Sequence, residues 1–153
     1  MTTRKSTYIL GISCFYHDAA AALVKDGRVI AAAHEERFTR TRHDEGFPQE
    51  AIDYCLQFAN IDIQDLKAIA FYDKPFLKFE RILTTFLEYW PKGIISWVPA
   101  MREWLTKKLR IKSLIYDNLD NYVGPIYFTE HHMSHAASAY LASPYDKAAI
   151  LTM

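Results

Sequence analysis

The stretch "YILGISCFYHDAAAALVKDGRVIAAAHEE", Tyr8 to Glu36, decides the architecture of this chain. Tyr8 to Ser13 is a short β-rich run, and the polar break at Phe15 to Asp18 separates it from "AAAALV". Lys25-Asp26-Gly27-Arg28 comes next, and then "VIAAAHEE". An Asp-Gly pair between two such runs marks a two-residue hairpin, because both central residues of a type I′ turn need positive φ. Three antiparallel strands are therefore predicted. The alanines of the second and third leave little side-chain volume, which suits close helix packing or a ligand approaching the backbone.

Outward from that meander, "RFTRTRHDEGFP" reads as a charged loop. Pro48 then starts a helical pattern with Ile52, Cys55, Leu56 and Ala59 on one face. "LKAIAFYD" reads as a buried strand. Helices are predicted over Phe76 to Trp90 and Trp97 to Leu109, with a shorter one in "LIYDNLDNYV". "PIYFTE" is a strand, "HHMSHAASAYLAS" a helix, and "KAAILTM" a further strand. Three antiparallel strands followed by alternating helices and parallel strands predict an α/β, ribonuclease H-like lobe. An apolar β-run that stops at Met153 with nothing to cap it reads as a chain cut short.

The chain has 153 residues, half of them hydrophobic, enough for an ordinary core. Its 18 basic and 18 acidic residues cancel, so no basic field invites nucleic acid. Cys14 and Cys55, far apart in sequence, form neither a disulfide framework nor a metal-ligand pair, and a reducing cytoplasm fits them. Glycine and serine break the apolar run after the N-terminus, so no targeting segment is read there. "FLEYWPKGIISWVPAMREWL" is aromatic, but four charges and two prolines interrupt it, which excludes a continuous membrane helix and leaves an amphipathic helical pair covering a core, or a partner- or lipid-binding surface.

Three groups of residues could carry chemistry. In a helical "HHMSHAASAY", His131 and His135 lie four apart on one face, as two ligands of one ion require, while His132 points elsewhere. The competing reading is a helix start with partly exposed histidines. His17, at the bend between the first two strands, has an unperturbed pKa suited to a general base, yet a loop histidine is also an ordinary polar residue. Asp18 beside it could orient a partner or cap the turn. Cys14 lies three residues from His17, on the opposite face of an extended strand, which argues against a nucleophilic pair. Arg37, Arg40, Arg42 and His43, interleaved with Glu35, Glu36, Asp44 and Glu45, suit either phosphate binding through forked hydrogen bonds or a self-paired surface loop.

Taken in order, "ILGISCFYHDAAAALVKDGRVIAAAHEERFTRTRHDEGFPQEAIDYCL" and "HHMSHAASAYLASPYDKAAILTM" closely resemble the N-terminal part of the O-carbamoyltransferases typified by nodulation and antibiotic-tailoring enzymes. Those enzymes are similar to the tRNA threonylcarbamoyl transferase subunit, within the actin-like ATPase fold. The resemblance implies an ATP-dependent reaction: carbamoyl phosphate becomes carbamoyl adenylate, whose carbamoyl group passes to a hydroxyl of a small acceptor such as a sugar or antibiotic. It implies that His131 and His135 are two ligands of a divalent metal, typically Fe2+, that His17 acts on the acceptor hydroxyl, and that Arg42, commonly lysine in the family, binds nucleotide or carbamoyl oxygens. A third ligand, an aspartate, the second lobe and an adenylate-forming domain would lie beyond Met153, leaving the chain inactive by itself. Carbamoyl phosphate, ATP and the acceptor are the implied partners, with no nucleic acid and no membrane, and a homo-oligomer is compatible. Two other readings stand beside it: a non-catalytic interaction module that keeps the lobe, and a small metal hydrolase using the histidine pair with Glu35, Glu36 or Asp44.

Overall fold

The computed structural model describes residues 6–152 except 17, 93 and 107. It divides into two compact units, one formed by the two ends of the chain and one by Lys74–Asp120.

The first unit holds a five-stranded mixed sheet of β1 (Tyr8–Ser13), β2 (Ala20–Lys25), β3 (Arg28–His34), β4 (Leu66–Phe71) and β5 (Ile126–Phe128), in the spatial order β3-β2-β1-β4-β5. The predicted meander is present, with β1, β2 and β3 antiparallel, β4 parallel to β1 and β5 parallel to β4. Asp26 and Gly27 join β2 to β3 with φ of 48° and 83°, the two positive values that a type I′ turn demands. The Asp26 carboxylate and backbone also bond Thr7, closing the turn against the start of β1.

Side-chain alternation along these strands divides the sheet into two unlike faces. One carries Leu10, Ile12, Ala21, Leu23, Ala31, Ile69 and Phe71, all buried. Helix α2 (Gln49–Ala59) packs on β2 and β3 on that side through Ala51, Ile52 and Cys55, also buried, at about 1.5–3 kcal/mol for a large aliphatic such as Ile52. Pro48 precedes the helix and offers no side-chain cap. Glu35, just past β3, reaches over instead: its carboxylate accepts the N–H of Glu50 at 3.1 Å and of Ala51 at 2.8 Å. The expected charged loop begins as a single helical turn, α1 (Glu36–Thr39), which ends where Arg40 turns left-handed. Helix α6 (His131–Tyr140) comes after β5 and is three residues shorter than predicted.

The second unit contains α3 (Pro75–Glu88), α4 (Ile94–Thr106) and α5 (Ile111–Asn118). Met101, Trp104, Ile111, Ile115 and Leu119 are buried in it, and Phe86 stacks on Trp97 at 4.1 Å. The sequence placed Trp97 at the start of its helix, but α4 begins at Ile94 and runs through Pro99. A proline there removes one helical hydrogen bond, which the burial of Met101 and Trp104 on the following turns offsets.

The strand predicted over Lys147–Met153 is not formed by residues 147–152. An apolar run becomes a strand only where a neighbour offers ladder bonds, and Ile150 and Leu151 are exposed, the latter by 82%.

Candidate active site

Beside α6 the second face of the sheet is built mostly of small residues. Across the sheet Ala32, Ala22, Gly11 and Ala70 form one row, and His34, Ala20 and Ser13 form the next. Apart from the His34 side chain little rises from this floor, and α6 stands over it. Between them lies an open cavity of about 580 Å3, lined by the floor, by Tyr72 and Thr129 beyond the strand ends, and by Ser134, His135, Ala137 and Ser138 of α6.

The first turns of α6 are tied to the end of β4. Thr129 donates its N–H to the Phe71 carbonyl at 3.0 Å, and the Ser134 hydroxyl donates to the Tyr72 carbonyl at 2.9 Å. His131, Ser134, His135 and Ser138 follow the i, i+3, i+4, i+7 pattern of one helix face. The predicted histidine pair is brought together: the two Nε2 atoms stand 3.1 Å apart and the rings are nearly perpendicular. Two imidazole nitrogens about 2.0–2.1 Å from one ion at a bond angle of about 100° would stand about 3.1 Å apart, so this donor pair fits a divalent metal. Among the described residues no cluster of three histidine, cysteine, aspartate or glutamate side chains is placed to hold an ion. Glu35 is committed to capping α2, and Asp44 accepts from the Thr39 hydroxyl at 2.8 Å and the Gly46 N–H at 2.8 Å.

His17 lies outside the described residues. Its flanks do not. The bend from Cys14 to Ala19 joins Ser13 to Ala20, both on the cavity wall, and is fastened to the basic loop: Phe15 donates its N–H to the Glu45 carbonyl at 3.0 Å, and Ala19 to the Asp44 carbonyl at 2.8 Å. Asp18 pairs with the His43 ring at 2.9 Å. The structure therefore joins the His-Asp bend to the loop that carries Arg42. Arg42 itself is exposed and does not line the cavity. Cys14 is buried, and burial pushes its thiol up to about 12, so it is no thiolate nucleophile. Burial, with Asp73 next, pushes the Tyr72 phenol up to about 12, keeping it protonated beside the cavity.

Sequence reading singled out neither His34, Tyr72, Ser134 nor Ser138. The signal for each of them was present. Strand alternation puts His34 on the face of Ala32, and helical spacing puts both serines beside the histidines. The strand read in "LKAIAFYD" included Tyr72, where alternation puts it on the face of Ala70, although β4 ends at Phe71.

The carbamoyltransferase N-terminus family model matches residues 8–153. This chain belongs to that family. As a carbamoyltransferase N-terminus it is 49% identical to an uncharacterised protein of Synechocystis over 154 residues, 96% of this chain and 25% of that protein. It is 37% identical to nodulation protein NolNO of Sinorhizobium fredii over 141 residues, 91% of this chain and 19% of that protein. An uncharacterised 19.2 kDa protein of Rhizobium etli matches over 58 residues at 47% identity, 38% of this chain and 34% of its own. The carbamoyltransferase N-terminus thus spans a quarter or less of the Synechocystis and Sinorhizobium relatives. Among its described residues no helix is long and apolar enough to cross a membrane.

Proposed function

We propose that this chain is the N-terminal part of an ATP-dependent O-carbamoyltransferase, and that its sheet is one lobe of an actin-like ATPase fold. The family match over residues 8–153 carries the reaction class, and the strand order, an antiparallel meander extended by parallel strands, supports the lobe. In the proposed reaction the acceptor hydroxyl oxygen attacks the carbonyl carbon of carbamoyl adenylate, made from carbamoyl phosphate and ATP. The new carbon–oxygen bond forms, the bond from that carbon to the phosphate oxygen breaks, and AMP leaves with the electron pair. His17 takes the hydroxyl proton as general base. The Asp18–His43 pair and the two backbone bonds from Phe15 and Ala19 fix the bend on either side of it.

His131 and His135 would hold a divalent ion, iron by resemblance. When bound, that ion supplies positive charge to the phosphate oxygens. Arg42 is the further cation proposed for the carbamoyl or nucleotide oxygens; its loop carries it in the open, at no cost of burial. The open cavity beside His135 is the proposed place of the acceptor, with an apolar floor for ring carbons and serine hydroxyls on its wall.

The test is made on the whole protein. Wild type, given ATP, carbamoyl phosphate and a panel of sugar and aminoglycoside acceptors, is expected to release AMP and carbamoylate one acceptor. His17→Ala should cut transfer roughly a hundred- to ten-thousand-fold with the fold intact. Transfer within about threefold of wild type would remove His17 from the mechanism. No acceptor-dependent AMP release in wild type would favour an interaction module.

A further inference from the structure

We infer that Tyr72 is the positioning residue for His131: the tyrosine ring, anchored to the sheet, holds the imidazole at the place where its Nε2 meets that of His135. The inference rests on the reading of His131 and His135 as a ligand pair. Two histidines four apart on a helix share a face, but each ring still has a choice of χ1 and χ2, so sequence spacing alone does not bring the two nitrogens together. Here something off the helix narrows that choice. The Tyr72 ring lies 5.6 Å from the His131 ring, centroid to centroid, at 59°. Two further rings near that of His131, His135 at 4.7 Å and His132 at 5.8 Å, are on its own helix.

Tyr72 can act as a wall because it is itself held at two points. Its ring packs on that of Phe71 at 4.9 Å, and its carbonyl accepts the Ser134 hydroxyl. That last bond comes from the residue beside His135, so one residue of the sheet end sets both the depth of α6 and the rotation of the first ligand. Swinging the His131 ring toward Tyr72 would bring it against that packed side chain, which favours the arrangement in which the two nitrogens approach to 3.1 Å. Groups that orient a ligand ring without touching the ion commonly change metal affinity by about 10- to 100-fold when removed.

The experiment compares wild-type chain, Tyr72→Phe, Tyr72→Ala and Tyr72→Leu by NMR of the histidine rings, before and during titration with Zn2+. The backbone amide spectrum reports the fold, and Tyr72→Leu keeps apolar volume where Tyr72→Ala would loosen the strand end. Wild type should show a contact between the Tyr72 and His131 rings. Tyr72→Phe should keep the His131 ring shifts and bind Zn2+ within about threefold of wild type, whereas Tyr72→Leu or Tyr72→Ala should move those shifts and weaken Zn2+ roughly 10- to 100-fold. Unchanged His131 shifts in the variants lacking a ring would overturn the positioning role, even if Zn2+ binds. A phenylalanine variant as impaired as leucine would overturn it too, by giving the role to the hydroxyl. Should neither this chain nor the whole protein take Zn2+ at these histidines, the ligand-pair reading fails, while the ring shifts still decide whether Tyr72 sets the orientation of His131.

Discussion

Glu35 is the buried charged residue that the described chain carries at its core, 3% exposed, and its two oxygens supply the cap that Pro48 cannot give to the start of α2. Removing it leaves the buried Ala51 N–H without an acceptor, so Glu35→Ala should lower stability by about 1–3 kcal/mol in chemical denaturation. Glu35→Gln, which keeps one acceptor oxygen, should lose less. Cys14 sets a second expectation. Burial raises its thiol from 9.0 to about 12, so between those values the folded chain keeps a proton that the unfolded chain releases. Its contribution is full below about pH 9 and is lost as pH rises toward 12. Tyr72, raised from 10.0 to about 12, acts in the same direction from about pH 10. Denaturation midpoints should therefore fall between about pH 8 and about pH 10.5, and fall less in Cys14→Ala. Equal slopes in both proteins would show that the thiol titrates normally when folded. In the same folded state Cys14 and Cys55 should resist alkylation until denaturant is added, since both are buried.

At the scale of elements, local chemistry carried the sequence reading as far as local chemistry reaches. The Asp26-Gly27 turn could be read because its backbone requirement is met by so few residue pairs, and it fixes the order of three strands at once. Gly27→Val should consequently cost about 1–3 kcal/mol by forcing a β-branched residue to φ near 83°, while Gly27→Asn, tolerant of that region, should cost less. Denaturation of the two variants checks the order; equal costs would mean the turn has relaxed into another type. Helix α2 was legible from its apolar face. Its cap was not, because Glu35 precedes Gln49 by a whole loop and no short-range motif links them. The Lys147–Met153 run shows the converse failure: its composition is that of a strand, but pairing is a property of neighbours, and among the described residues none takes it up.

At the scale of the molecule, the histidine pair was legible from spacing, yet how firmly an ion is held depends on groups that spacing does not name. The sheet end places two nitrogens 3.1 Å apart, and among the described residues no third acidic, histidine or cysteine ligand joins them. Structural and catalytic sites for such ions ordinarily use at least three protein ligands, with further groups orienting each ring. The chain by itself should therefore bind Zn2+ or Fe2+ weakly, in the micromolar range or above, with both histidines required. The whole protein, if it contributes the aspartate that family resemblance implies, should bind far more tightly with the same dependence on His131 and His135. Calorimetric titration of each, with His135→Ala as the control, measures both quantities. A stoichiometric nanomolar site in the 153-residue chain, abolished by His135→Ala, would mean that this chain completes its own coordination shell. That result would return the small metal hydrolase to consideration, and Glu36, whose carboxylate reaches only a long 3.4 Å bond to the His43 N–H and a 3.8 Å approach to Arg37, would then be the first residue to replace.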